Sequence, residues 1–247
     1  MLIANSNMRT QPCTTTHYYA AHLTLVSAVA MAVVPCSGTA QIYPAKPIRV
    51  IVAFAPGGGT DILSRVIGQS LQDAWGQPVV IENRPGASGR IGTELVARAA
   101  PDGHTLLGTS SGPFVISPTL TKKLSYDVFR DFAPITLAVT YPYTLVTHPS
   151  VPARNVPELP TFSEAGVPDF VVSSWFGWFA PGSTPSDIIN KLHKEIVRIV
   201  HSAEMKPRFI SEGADPVGNT PAQFVEHMKS ETAEWAKVIK AAGIRAD

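Results

Sequence analysis

Cysteine is nearly absent from this chain of 247 residues, and its two copies, Cys13 and Cys36, both precede residue 41. Residues 41–247 therefore have neither a disulfide framework nor a thiolate metal site. The net charge is +1 and no basic run stands out, which argues against a nucleic-acid-binding surface. The seven histidines lack the spacing of metal ligands, so we expect no metal and no cofactor.

Long hydrophobic runs are also missing. The apolar stretch over residues 20–34 is shorter than the roughly twenty residues of a stable transmembrane helix. Arg9 is the only charged residue before Lys46, and Gly38 and Ala40 are small residues typical of a signal-peptidase site. We therefore predict a signal peptide over residues 1–40, cleaved after Ala40, and export from the cytoplasm. A membrane anchor is the alternative interpretation.

Two glycine-rich turns are the most informative feature of the chain. The first reads APGGGTD over residues 55–61, and the second reads PGASG over residues 85–89. Each lies between a strand-like run and a helix-like run, at residues 48–54 and 62–75 for the first turn, and at 79–82 and 91–99 for the second. Glycine permits the sharp turn, and the helix start adds unpaired N–H groups with partial positive charge.

Each junction therefore predicts a cradle for a carboxylate or a phosphate. A third strand-like run over residues 105–108 completes a βαβαβ order, which predicts a parallel sheet with both cradles at the edge where such sheets bind ligands. The alternative is a tight structural turn in which Asp61 caps its helix.

The pattern G-x-S-x-G over residues 108–112 raises the possibility of a serine hydrolase. A nucleophile elbow requires a helix directly after the serine, but residues 109–118 contain two prolines and no helical periodicity, so we predict a loop. The base would have to be His193, His201 or His227, none of which has a visible orienting partner. Thr109 and Ser110 fit better as hydroxyl donors at the end of the third strand.

The second half of the chain predicts further strands and well-marked helices. Strand-like runs cover residues 135–139, 143–147 and 171–179. The last of these is rich in aromatic residues, which form either a pocket floor or plain core. Thr184 and Thr220 each precede a proline and predict helix N-caps, the second with Gln223 in a capping box.

Several of these segments together resemble a known family, the extracytoplasmic solute receptors of tripartite tricarboxylate transporters, also called the Bug or TctC-like group. The resemblance is carried by PIRVIVAFAPGGGTD at residues 47–61, VIENRPGASG at 80–89, AAPDGHTL at 99–106 and LPTFSEAGVP at 159–168. It resumes at residues 175–177 and continues to residue 240, so it covers nearly the whole chain after residue 40.

This resemblance implies an α/β fold like that of type II periplasmic binding proteins, with two lobes that close on a small carboxylate. It implies a binding protein, not an enzyme, whose partners are the solute and the membrane subunits of the transporter. The solute would be a dicarboxylate, a tricarboxylate, an amino acid or an aromatic acid. The implied ligand-binding residues are Phe54, Ala55, Gly57, Gly58, Gly59, Thr60, Asp61, Ala87, Ser88, Gly89, Thr109 and Ser110.

The chain departs from the family pattern near residues 156–158. Most of the second lobe, about 70–80 residues and much of a small domain, is absent there. We therefore predict a first lobe that is nearly complete and a second lobe that is mostly deleted. The predicted boundaries are a signal peptide at 1–40, lobe 1 at 41–140, a lobe 2 remnant and connector at 141–172, and a crossover strand with C-terminal helices on lobe 1 at 173–247. A single-lobe interaction module that binds no ligand is the alternative function.

Overall fold

Over the residues that the structure describes, the fold is built on a six-stranded mixed β-sheet with helices on both faces. The computed structural model describes residues 43–121, 123–142 and 173–244, all within one compact unit that covers residues 42–247. The predicted signal peptide lies outside the described residues. So do the predicted strand at 143–147 and all of the predicted connector beyond Pro142.

The elements follow in a simple order along the chain. The strands are β1 (Ile48–Val52), β2 (Val79–Asn83), β3 (Thr105–Ser110), β4 (Phe132–Pro142), β5 (Ser173–Pro181) and β6 (Asp215–Pro216). The helices are α1 (Gly59–Trp75), α2 (Arg90–Ala97), α3 (Ser117–Leu120), α4 (Ser186–Val200), α5 (Met205–Ser211) and α6 (Pro221–Ala242). A 3₁₀ turn covers Ala87–Gly89, and a π-helical turn covers Gly112–Ile116.

The strand order is β2-β1-β3-β5-β4-β6. β1 pairs in parallel with both β2 and β3, which confirms the three neighbouring parallel strands predicted from the two glycine turns. β5 is antiparallel to both β3 and β4, so β4 runs in the same direction as β3. The C-terminal ends of β1, β2, β3 and β4 therefore meet at one edge of the sheet, which we call the carboxyl edge.

Helices from both ends of the chain cover this sheet. On one face, α1 and α4 contribute buried side chains to a single apolar cluster, including Leu63, Ile67 and Leu192. On the other face, Val96 of α2 packs in one cluster with Phe224 of α6. The C-terminal helices α4 and α6 thus pack on the same sheet as α1 and α2.

The aromatic run on β5 is core. Trp175, Phe176, Trp178 and Phe179 are all fully buried. They alternate between the two faces, because Phe176 and Trp178 belong to one apolar cluster and Trp175 and Phe179 to the other, as the two-residue period of a strand requires. The interpretation as a pocket floor is therefore not needed.

The two predicted N-caps have different outcomes. Thr220 caps α6 as predicted: its Oγ1 accepts the Gln223 N–H at 3.2 Å, and Gln223 Oε1 accepts the Thr220 N–H at 2.9 Å. Thr184 is not an N-cap, because α4 starts at Ser186 and the extended Pro185 takes the cap position. The Thr184 N–H bonds instead to the carbonyl of Pro181, in the turn that ends β5.

The predicted loop over residues 109–118 is wrong. β3 continues to Ser110, and residues 111–120 are helical. Pro113 and Pro118 each fall in the first turn of a helical segment, where a missing N–H costs little. The Pro113 carbonyl accepts the Tyr126 hydroxyl at 2.9 Å. The two prolines therefore suggested a loop in the sequence, although neither of them prevents the helix.

Among the helices of the described residues, none is long and apolar enough to cross a membrane.

Candidate functional site at the carboxyl edge

The first glycine loop presents unpaired N–H groups at the start of α1. Gly58 is the N-cap residue, in extended conformation and without a side-chain cap. Its carbonyl accepts the N–H groups of Asp61 and Ile62. Within the described residues, the N–H groups of Gly58, Gly59 and Thr60 have no acceptor. A 17-residue helix therefore directs free donors and its positive dipole end toward an exposed loop.

Asp61 holds this loop in place. Its carboxylate accepts the Gly57 N–H at 2.9 Å, Asn83 Nδ2 at 2.9 Å and Arg65 Nε at 3.1 Å. Asn83, at the end of β2, also donates to the carbonyl of Phe54 at 3.1 Å. Asp61 is the third residue of the helix and not its N-cap, so the predicted capping role needs correction. It joins β2, the loop and α1 into one unit.

The same contacts set the ionisation of Asp61, which is 3% exposed. Burial works to raise the pKa of this carboxyl, but the hydrogen bonds from Arg65, from the Gly57 N–H and from Asn83 outweigh burial. The pKa therefore lies below its ordinary value, and the group is an anion at neutral pH. Because this anion occupies the Gly57 N–H, that donor is not open to a solute.

The second glycine loop has an unusual backbone. Four consecutive residues, from Gly86 to Gly89, have positive φ angles of 125°, 46°, 55° and 88°. Two of them, Ala87 and Ser88, carry side chains, which disfavour this region by about 1–2 kcal/mol per residue. Both are exposed. Strained loops of this kind are concentrated at binding sites.

The two loops meet beside the π-helical turn. A Cβ atom on Gly89 would lie 2.8 Å from Pro113 Cγ and 3.2 Å from Phe54 Cζ. The backbone at Gly89 therefore packs against both the first loop and the segment that follows β3. The two glycine-rich loops therefore lie close together beside the segment that follows β3. That residues 54–61, 87–89, 109 and 110 form one ligand site stays a prediction.

Thr109 and Ser110 point in opposite directions. Gly108 faces α1, since a Cβ atom there would lie 2.7 Å from Ser64 Oγ. Ser110, two residues on, faces the same side, whereas Thr109 faces the other. Thr109 is fully buried, and its Oγ1 has no hydrogen-bond partner. Thr109 and Ser110 were both predicted as hydroxyl donors, and only Ser110 faces the side of the sheet on which α1 lies.

A cavity of about 290 Å³ opens beside the start of α1. Its lining residues are Gly59, Thr60, Leu63, Tyr141, Pro142, Glu212, Gly213 and Ala214. Thr60 is 8% exposed, and within the described residues its Oγ1 makes no hydrogen bond. Sequence reasoning found only the first two of these residues. The position of Tyr141 at the end of a strand was a usable signal, but residues 212–214 follow a short helix and gave none.

Ser110 lacks the partners of a catalytic serine. His193 Nε2 lies 3.1 Å from the carbonyl of Asn219, and His201 Nε2 lies 3.1 Å from the carbonyl of Val217. His227 lies beside Glu231 at 3.6 Å. None of these three histidines has a hydrogen bond to Ser110 in the part of the chain that the structure describes. Over the same residues, no group of three or more metal-ligating side chains comes together.

Comparison with known proteins places these features in a family. A family model described as "Tripartite tricarboxylate transporter family receptor" matches residues 63–159 and 153–244. Protein BugT of Bordetella pertussis is 28% identical over 311 residues, which covers 88% of this chain and 95% of that protein. Because 88% of this chain is about 217 residues, about 94 aligned positions have no counterpart here. The two matched segments overlap at residues 153–159, where the sequence predicts the missing part of the second lobe.

Solved structures confirm the predicted fold. The periplasmic binding protein BugD matches with a TM-score of 0.73 at 25% identity, over 83% of this chain and 100% of that chain. An R. palustris protein solved with adipate matches with a TM-score of 0.75 at 24% identity, over 82% of this chain and 99% of that chain. The α/β sheet described above is therefore that of a periplasmic binding protein, in a chain that is shorter than its relatives.

Proposed function

Because the chain belongs to the receptor family of the tripartite tricarboxylate transporters, we propose that it is an extracytoplasmic receptor for a small carboxylate in a transport system of that kind. Members of this family are solute-binding receptors and not enzymes. Family membership therefore removes the serine hydrolase alternative, which the histidine positions had already disfavoured.

The observation that carries the proposal is the cavity at the start of α1. Gly59 and Thr60 line it with N–H groups that have no acceptor among the described residues. A carboxylate seated there would accept these donors and benefit from the helix dipole. The neighbour solved with adipate carries a ligand of the same chemical class.

The second glycine loop and Ser110 supply further groups at the same edge. Ala87 and Ser88 are exposed and held in a strained backbone, in the loop whose Gly89 packs against Phe54 and Pro113. Bridging waters would link such groups to a bound carboxylate at little cost. Thr109 does not contact the solute in this proposal, because it is fully buried and faces the opposite side of the sheet from Ser110.

The shortened chain lowers the expected affinity. A receptor of two lobes buries its ligand between them, whereas one lobe supplies about half of the contacts. Each lost hydrogen bond costs about 1 kcal/mol, or more when the acceptor is charged, and every 1.4 kcal/mol is about tenfold in dissociation constant. We therefore propose binding in the millimolar range.

The proposal extends to location and domain organisation. Residues 1–40 act as a signal peptide that is cleaved after Ala40, and the protein works in the periplasm with the membrane subunits of the transporter. Residues 41–140 and 173–247 form the first lobe, and residues 141–172 are what is left of the second. N-terminal sequencing of the exported protein tests the cleavage site, and a cytoplasmic protein that starts at Met1 would contradict it.

Gly59→Pro tests the cradle directly. Gly59 is the first residue of α1, a position that favours proline, and no atom lies within 4 Å of a Cβ atom placed there. Gly58 has ψ of 164°, which suits a residue before proline. The variant therefore removes one N–H donor while keeping the helix. Gly59→Ala is the matched control, because it adds a side chain and keeps the N–H.

Ligand-observed NMR titration with adipate, malate, citrate and glutamate is the assay. We expect millimolar binding of at least one acid, unchanged within about threefold in Gly59→Ala and weakened about tenfold or more in Gly59→Pro. Equal binding by wild type and Gly59→Pro would place the ligand elsewhere. No binding of any acid at about 10 mM would reject the receptor function.

The second candidate is a single-lobe interaction module that binds no solute. The observation in its favour is the length of the chain, which lacks about 94 positions of the BugT alignment. Complete absence of carboxylate binding, together with capture of the transporter's membrane subunits by the purified protein, would support it.

A further inference from the structure

The cavity beside α1 has an uneven distribution of charge. Among the eight lining residues that the described part of the chain contributes, Glu212 is the only acidic or basic one. Glu212 is exposed, and among the described residues no lysine, arginine or histidine forms an ion pair with it. Its backbone N–H is used to close α5, through the carbonyls of Arg208 and Phe209, so the residue is fixed at the helix end.

The part of the lining that α1 contributes has the reverse polarity. It is the N-terminal end of α1, with the free N–H groups of Gly59 and Thr60 and their partial positive charge. Thr60 adds a hydroxyl on a residue that is more than nine-tenths buried and that has no hydrogen-bond partner for its Oγ1 within the described residues. By contrast, Glu212 and Gly213 follow the C-terminal end of α5, whose carbonyls are partially negative.

We propose, building on the receptor function above, that this cavity selects solutes that carry an ammonium group as well as a carboxylate, and that Glu212 is the residue that selects them. The carboxylate binds at the start of α1, and the ammonium group faces Glu212. A dicarboxylate that lacks the ammonium group brings only negative charge toward Glu212, the one acidic residue of the described lining. The cavity is close to the size of pockets that hold small metabolites.

Two matched pairs of solutes test this selection. Glutamate differs from glutarate, and aspartate from succinate, by one ammonium group on the same carbon chain. The purified protein is titrated with all four by ligand-observed NMR, as wild type, as Glu212→Gln and as Glu204→Gln. Glu204 is an exposed acid at the other end of α5 that does not line this cavity, so its variant controls for the change in net charge.

We expect wild type to prefer each amino acid over its dicarboxylate by about tenfold. The preference should fall below about threefold in Glu212→Gln and stay unchanged in Glu204→Gln. Equal or tighter binding of the dicarboxylates by wild type would overturn the selection but leave the receptor function intact. An amino-acid preference that persists in Glu212→Gln would overturn the role of Glu212. If none of the four binds while adipate, malate or citrate does, the selection fails and the receptor function stands; if no acid of either set binds, both fail.

Discussion

Replacement of Asp61 by alanine should destabilise the protein more than the loss of one helix cap. The carboxylate is almost fully buried and accepts three kinds of donor, from Gly57, Arg65 and Asn83. Removing it leaves those donors without their acceptor in the place where β2, the first loop and α1 meet.

The size of the loss in unfolding free energy depends on how completely water replaces the carboxylate as the acceptor for each donor. Hydrogen bonds to a charged group contribute about 1.5–3 kcal/mol each. Arg65 is half exposed and Gly57 lies in an exposed loop, so water replaces much of what they lose. Asn83 keeps its bond to Phe54. We therefore expect a loss of about 2–3 kcal/mol, which lowers the melting temperature by about 5–10 °C in a domain of this size.

Urea denaturation followed by tryptophan fluorescence measures this loss, because Trp175 and Trp178 are fully buried in the core. Asp61→Asn is the matched variant: it keeps the shape and one acceptor oxygen but loses the charge, so it should lie between alanine and wild type. Because the pKa of Asp61 is lowered in the folded protein, its stabilising contribution is complete above its unfolded pKa of about 4. That contribution is lost as the pH falls through the lower folded pKa.

The difference in unfolding free energy between wild type and Asp61→Asn should therefore narrow below about pH 4. Two results would refute the reasoning. One is an Asp61→Ala variant within about 0.5 kcal/mol of wild type. The other is a gap between wild type and Asp61→Asn that does not change with pH, which would mean that the charge of Asp61 is not what holds the loop.

Three further substitutions test other parts of the structure. Ala87→Gly should raise the unfolding free energy by up to about 1 kcal/mol, because it relieves a left-handed backbone. Ala233→Gly, at an exposed interior position of α6, should instead lower it by about 1 kcal/mol; equal urea midpoints for the two variants would contradict the strain at Ala87. Thr220→Ala should lower the unfolding free energy by about 1 kcal/mol, because it removes the capping box. An equal loss in Ser230→Ala, on the exposed face of the same helix, would count against that explanation. Gly103→Ala should lower the melting temperature by several degrees, because its φ is +77° and a methyl group there would lie 2.5 Å from a side chain of α4; an unchanged melting curve would show that the backbone adjusts freely.

The parallel half of the sheet was predictable from sequence because local signals agreed with each other. Each glycine turn is flanked by a strand-like run and a helix-like run, and right-handed crossovers leave little freedom in how such units combine. The capping box of Thr220 and Gln223 was equally local, and it was also correct.

The errors came from features that depend on tertiary contacts. The helix after Ser110 was missed because Pro113 and Pro118 suggest a break, and only their positions in first turns reconcile them with a helix. The burial of Thr109 depends on strand register, which the sequence does not fix. Glu212 joins the site only because the fold brings α5 beside α1, from about 150 residues further along the chain.

The pairing of β4 with β5 explains how a shortened member of the family keeps its sheet. The two strands are antiparallel neighbours, and their register runs from Phe132 opposite Pro181 to Pro142 opposite Ser173. The chain therefore leaves the sheet and returns to it at adjacent positions, about 5 Å apart. A connection of any length, from a short hairpin to a whole lobe, joins those two ends without altering a strand. The junction is thus a natural insertion point, at which evolution can remove or exchange a module, and at which an engineer can graft one, while the rest of the receptor folds as before.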